Sequence, residues 1–238
     1  MFLPLYDGIP VRNIKVAWVT YAILGVTLLL YAVLAFEMMG MASEEEKAAW
    51  QAWVAAAFGT IPAVLFGTAI LPDGLPMAPE VVTLLTGQFI HFGILHVLGN
   101  MAFLWVFGDN VEDALGHWRF ALFYVLCGVV GGFVYALGTP DSLRPLVGAS
   151  GAVSGLIAAY LLLHPRARVW GLFFNRIPLH VPAVWAIGFW LVFQVVQIWF
   201  GGDDVGWLAH VGGFFTGALL VVVMHRRRQP LFATKEQA

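Results

Sequence analysis

Three short runs combine polar side chains with glycines inside long apolar stretches of this chain. They are Phe89–Met101, which holds His91, His96 and Asn100; Gly148–Gly155, which holds Ser150 and Ser154; and Ala209–Gly217, which holds His210 and Thr216. A serine hydroxyl and a histidine are the minimum set for nucleophilic acyl transfer, in which the imidazole takes the hydroxyl proton during attack and later gives it to the leaving group. Side-chain donors such as His96 and Asn100, four residues apart on one helical face, are suited to holding a developing oxyanion. No Asp or Glu falls within 81–108, 145–165 or 205–225, so the carboxylate of a Ser-His-Asp triad has no source and a Ser150–His210 dyad is expected. Metal chemistry fits poorly. His91 and His96 are five apart rather than four, no His-Glu-x-x-His occurs, and Cys127 is the single cysteine, which also rules out an intramolecular disulfide. No metal is expected, and Cys127 reads as a small buried hydrophobe.

Each run also has a plain explanation when taken alone. A serine in a membrane helix commonly bonds the carbonyl four residues back, a buried histidine is often a structural hydrogen-bonder, and Gly-xxx-Gly is first a packing motif. The elements that carry the runs decide between the readings. Of 238 residues, 61% are hydrophobic and 11% charged, and the net charge is −2. That composition excludes a soluble enzyme, a disordered chain and a nucleic-acid binder, and the absence of polar–apolar alternation excludes an outer-membrane barrel. Charge-free windows at 16–36, 48–72, 81–108, 120–140, 145–165, 177–202 and 205–225 are each near the roughly 20 residues a membrane-crossing helix needs. Window 48–72 is broken by Gly59-Thr60-Ile61-Pro62 and by Gly67. Its halves suit an interfacial placement, with Trp50, Trp53 and Phe58 at headgroup level. Six spans remain, in an all-α polytopic bundle over 16–225. A segment 1–15 precedes it, an outer loop 37–90 belongs to it, and a basic tail 226–238 follows. The apolar run after Arg12 and Lys15 is 21 residues, longer than the about 7 to 15 of a cleaved signal core, so it is read as a retained first span.

Six spans put both termini on one side. That side, with the loops 109–119 and 166–176, collects ten of the 12 basic residues, whereas the other side holds Lys47 and Arg144 and nine of the 14 acidic residues. The positive-inside rule then sets both termini in the cytoplasm, with Arg226–Arg228 as a stop-transfer anchor and Gln229–Ala238 as a free tail. Spans 2, 4 and 6 all run inward, and His96, Ser150 and His210 each stand near a span start, so all three share one depth close to the outer face. Gly151 and Gly155 against Gly213 and Gly217 are small-xxx-small pairs that let two helices approach closely enough for Ser150 to reach His210. Unpaired backbone N–H groups at the start of span 4 join His96 and Asn100 as oxyanion donors. His91 either assists that side or orients the loop, and Ser154 and Thr216 are expected to bond their own helices.

At these residues the sequence strongly resembles the rhomboid family of intramembrane serine proteases. Its marks His-x-x-x-Asn, Gly-x-Ser-Gly and Ala-His-x-x-Gly-x-x-x-Gly read here as His96–Asn100, Gly148–Gly151 and Ala209–Gly217. Gly108, Glu112, Gly116 and Phe120 match a fourth signature. The resemblance implies a six-helix bundle in a membrane, expected to be a bacterial inner membrane. It implies no cofactor and cleavage of transmembrane protein substrates near the outer face, often after a small residue. Membrane lipid is the surrounding partner and nucleic acid is not one. The first loop lacks the Trp-Arg pair of some members, and Ser154 stands where some members stack an aromatic on the catalytic histidine. Glu112, too remote for chemistry, is expected to cap or bond helix ends. An inactive rhomboid-like binding protein would need neither Ser150 nor His210. A transporter or proton channel would need polar groups through both halves of the membrane.

Overall fold

The computed structural model describes residues 2–71, 78–173, 176–200, 206–226 and 230–232. Among these the chain is mostly helical. Four helices are long and apolar enough to cross a membrane: α1 (Trp18–Met39), α5 (Ile94–Leu115), α6 (His117–Gly138) and α9 (Gly206–Met224). Two shorter apolar helices complete the bundle, α7 (Ser150–Leu163) and α8 (Ala183–Phe200). Between α1 and α5 lie α2 (Glu44–Phe58), α3 (Pro62–Leu65), α4 (Glu80–Thr86) and a 3-10 turn at Gly87–Phe89. The expected break in window 48–72 is there: Gly59 ends α2 and Pro62 opens α3. Ser43 caps the start of α2, its Oγ accepting the Glu46 N–H, and the Glu46 carboxylate reaches back to accept the Ala42 N–H.

The all-α expectation needs correction at one end of the bundle. β1 (Phe2–Tyr6), β2 (Arg168–Phe173) and β3 (Ile177–Pro182) form an antiparallel sheet in the order β1-β2-β3, with Phe2 opposite Phe173 and Arg168 opposite Pro182. Residues 177–182, assigned to the fifth span by absence of charge, are therefore strand, and that helix begins at Ala183. Alternate residues Phe2, Pro4, Val169 and Gly171 are buried against the bundle. Short apolar strands of this kind carry no polar alternation that would separate them from a buried helix.

The 109–119 segment is likewise helix rather than loop. α5 continues through Asp109, Glu112 and Asp113 to Leu115, and α6 follows after Gly116 alone, which has φ +84°. Glu112 and Asp113 stay in the helix because distant backbone satisfies them, whereas Asp109 accepts from its neighbour Asn110. The buried Glu112 carboxylate accepts the N–H groups of Val19 and Thr20 and the Thr20 hydroxyl, and His117 Nδ1 also bonds it. Glu112 thereby caps the first turn of α1, which has no side-chain cap of its own. Asp113 accepts from the Asn13 and Ile14 N–H groups and from the Asn13 amide.

The described connecting segments gather at two ends of the bundle. At one end Asp7 accepts from Tyr160 and Asn110, and the Arg226 N–H donates to the Ala114 carbonyl. At the other, Thr60 bridges Leu146, the Ala63 N–H bonds the Ser142 carbonyl and the Gly148 N–H bonds the Gly87 carbonyl. The tail is not wholly free: Leu231 packs against the core and the Phe232 N–H donates to the Leu162 carbonyl. Arg227, Arg228 and most of the tail lie outside the described residues.

Candidate active site

α7 begins at Ser150, so the hydroxyl-bearing residue occupies the first position of a helix whose first intrahelical bond runs from the Val153 N–H to the Ala149 carbonyl. The turn ahead of it depends on glycine. Gly148 has φ +114°, and a Cβ there would stand 2.7 Å from His96 Cε1 and 2.9 Å from its Nε2. The His96 imidazole is thus seated on the backbone two residues before Ser150.

The two small-xxx-small pairs meet. A Cβ on Gly213 would come within 2.0 Å of the Gly151 carbonyl oxygen, and one on Gly217 within 2.2 Å of the Gly155 carbonyl oxygen. α7 and α9 consequently touch backbone to backbone, and α6 joins them where Gly131 faces the Ala209 carbonyl. Ala209, the neighbour of His210, has its carbonyl 3.4 Å from where a Gly151 Cβ would be, so Ser150 and His210 flank one helix contact. A narrow cleft opens there, lined by Gly148, Ser150, Gly151, Ala209, Gly128 and Gln88. Ser154 donates to the Ser150 carbonyl at 2.6 Å and Thr216 to the Gly212 carbonyl at 2.7 Å, the local bonding expected of both.

His96 and Asn100 share α5, but His91 does not. It sits in the loop ahead of Gly93, a residue with φ +89° that opens the helix. Its imidazole is 1% exposed. His91 Nε2 receives the Asn100 amide at 3.0 Å and the Ala149 N–H at 3.2 Å, while Nδ1 faces the Phe89 carbonyl. Nε2 as double acceptor requires the proton on Nδ1. Burial, and after it the neighbouring His96, hold the His91 pKa down to about 4, against the Phe89 carbonyl, which favours the charged form. One consequence corrects the sequence reading: the Ala149 N–H is spent on His91, leaving the N–H groups of Ser150, Gly151 and Ala152 as the orphans of the α7 start. The His91 and His96 rings meet edge to face at 5.0 Å.

Two further residues were not anticipated. Gln88 donates to the Leu84 carbonyl and packs on Gly128, with its own Oε1 buried and unpartnered. Its signal was the one that flagged His91, a polar residue in a charge-free window. Trp190 of α8 faces His210 and had no signal among ten tryptophans. Among the described residues no group of three or more His, Cys, Asp or Glu is arranged to hold a metal ion.

Residues 78–227 match the Rhomboid domain family. The chain is 30% identical over 154 residues to RHOMBOID-like protein 12, mitochondrial, of Arabidopsis thaliana, covering 58% of this chain and 44% of that protein. It is 34% identical over 138 residues to Rhomboid protease GluP of Bacillus subtilis (strain 168), covering 58% and 25% respectively. With Presenilin-associated rhomboid-like protein, mitochondrial, of Homo sapiens the identity is 28% over 159 residues, covering 62% and 40%. In each case the matched stretch spans less than half of the relative's own length. A match over more than half of the chain, falling on the helices that carry His96, Ser150 and His210, makes this chain an integral membrane member of the rhomboid family.

Proposed function

We propose that the chain is an intramembrane serine endopeptidase that hydrolyses peptide bonds in or near the transmembrane segments of membrane-protein substrates. Ser150 is the nucleophile and His210 the general base. The Ser150 oxygen bonds the scissile carbonyl carbon as its proton passes to His210, and the C–N bond breaks as that proton passes to the leaving amine. Water then repeats the sequence on the acyl-enzyme. His96, Asn100 and the orphan N–H groups at the start of α7 stabilise the oxyanion. Gly148, Gly151, Gly155, Gly213 and Gly217 supply the close approach that this chemistry needs.

The observation that carries this reading is the glycine contact between α7 and α9, which sets the Ser150 helix start beside Ala209 and His210 at the edge of a cleft. The printed name of the Bacillus subtilis relative, a rhomboid protease, agrees with it. We further propose that α1, α5, α6, α7, α8 and α9 all cross the membrane, with both termini cytoplasmic and the cleft near the outer face. The basic side and the bacterial relative support a bacterial inner membrane. An organelle membrane is the alternative that the mitochondrial names of two relatives raise.

The test uses purified protein and a tagged transmembrane substrate. Wild type cleaves, Ser150→Ala and His210→Ala do not, and the double variant loses little more than either single one, because residues acting as a unit are non-additive. A fluorophosphonate labels wild type and not Ser150→Ala. Cleavage by purified Ser150→Ala would overturn the proposal, and stable substrate binding by wild type without any cleavage would replace it with a binding protein.

A further inference from the structure

The residue one turn after Ser150 is Ser154, which has no ring to stack on an imidazole and whose hydroxyl proton goes to the Ser150 carbonyl. An aromatic neighbour of His210 comes from another helix. The Trp190 ring of α8 lies 6.1 Å from the His210 ring, inclined by 36°, and 6.3 Å from the Phe214 ring, inclined by 32°. His210 and Phe214 are four residues apart on α9, so one indole covers both. Trp190 also borders a small apolar cavity that it shares with Phe2, Phe103, Phe107, Ile157 and Ile187. Phe2 is 8% exposed and reaches that position because β1 pairs with β2 beside α5.

We propose that Trp190 is a positioning residue for His210, braced from behind by Phe2 of the first strand. The inference rests on the reading of His210 as the general base. A base must present one ring nitrogen within about 2.6–3.2 Å of the hydroxyl it deprotonates, so the packing around its ring bears directly on the rate. An indole 6.1 Å away and inclined by 36° narrows the orientations open to the His210 ring, and a ring pair in this range of separations is attractive in its own right. α8 touches α7 and α9 far less than α6 does, and its tryptophan packs instead on the core beside Phe103, Phe107 and Ile157. Phe2 lines the cavity that Trp190 borders. The first strand is thereby coupled to the geometry of the dyad although it lies at the other end of the bundle from Ser150.

The test compares full-length Trp190→Ala, Trp190→Phe and Phe2→Ala with wild type in lipid. It uses two readouts: kcat and KM on a tagged transmembrane substrate, and the His210 ring resonances in protein labelled at histidine, identified by their loss in His210→Asn. Trp190→Ala is expected to lower kcat about tenfold to a hundredfold with little change in KM, the scale of effect that a misplaced catalytic group produces. It should also move the His210 resonances by removing the indole ring current. Trp190→Phe restores most of kcat, and Phe2→Ala moves both readouts in the same direction by less. Wild-type kcat in Trp190→Ala, an unmoved His210 resonance, or a phenylalanine variant no better than the alanine one would each overturn the proposal. If Trp190→Ala does not fold, Trp190→Leu decides, since it keeps apolar volume without a ring: lost kcat in the folded variant supports the proposal and wild-type kcat overturns it. Should wild type neither cleave nor label at Ser150, the protease reading fails, and the His210 resonances still decide whether Trp190 orders that ring.

Discussion

His91 accepts two hydrogen bonds on one ring nitrogen, and protonation there would set a third N–H against the Ala149 and Asn100 donors. The folded protein therefore holds the neutral ring. His164, 2% exposed with its Nδ1 unpartnered, has its pKa lowered to about 4, mainly by burial, with Arg12 adding to the effect and Asp113 opposing it. For a base with a depressed folded pKa, the unfolded chain binds the proton first. The stabilising contribution is complete above the ordinary value of 6.5 and is lost as pH falls toward about 4. The loss is on the order of 1.4 kcal/mol per unit of displacement for each ring. The melting midpoint in detergent is expected to fall over that window, and the fall should flatten in a variant combining His91→Gln, which keeps an acceptor that does not titrate, with His164→Phe. An equal acid loss in that variant would remove both histidines as its cause. The residue types at the site were legible in the sequence because polar groups in an apolar window stand out. The partner of each was not, since Ala149 lies 58 residues from His91.

At the scale of elements, glycine spacing was the most informative pattern. A four-residue interval of small residues marks a helix face that tolerates backbone contact, and both intervals meet as their spacing predicted. The sheet was hidden for the opposite reason. Phe2–Tyr6 and 177–182 are short and apolar with no alternation, and Pro4, Pro178 and Pro182 give no strand signal of their own. The charges of α5 misled because the groups that satisfy Glu112 and Asp113 come from residues 13–20, nearly a hundred positions away. A test of the glycine argument follows. Gly213→Ala forces α7 and α9 apart, because its Cβ would stand 2.0 Å from a backbone oxygen that cannot turn aside. Cleavage should fall at least about tenfold, as for a misplaced catalytic group, and the melting midpoint should fall with it. Gly25→Ala on α1, where a Cβ meets nothing within 4 Å, should leave cleavage unchanged and raise the midpoint slightly, because alanine is the better helix former. Equal behaviour of the two variants would mean that the α7–α9 contact does not govern the site.

At the scale of the molecule, hydrogen bonds join residues 7–20, 109–117, 160–164 and 226 at one end and residues 58–63, 86–87 and 142–148 at the other. The six-span reading groups these segments in the same way, with its 201–204 connection outside the described residues. Which end faces the cytoplasm is a separate matter, carried by the excess of ten basic residues over two. Thiol chemistry tests it with low background, since Cys127 is the only cysteine and is buried. A cysteine at Ser43, in the segment joining α1 and α2, should react with a membrane-impermeant reagent on intact cells. A cysteine at Arg166, exposed at the end that holds the first strand, should react only after the membrane is opened. The reverse pattern would put the basic end outside and the Ser150 cleft in the cytoplasmic half. Substrates would then have to be cut near their inner rather than their outer membrane boundary.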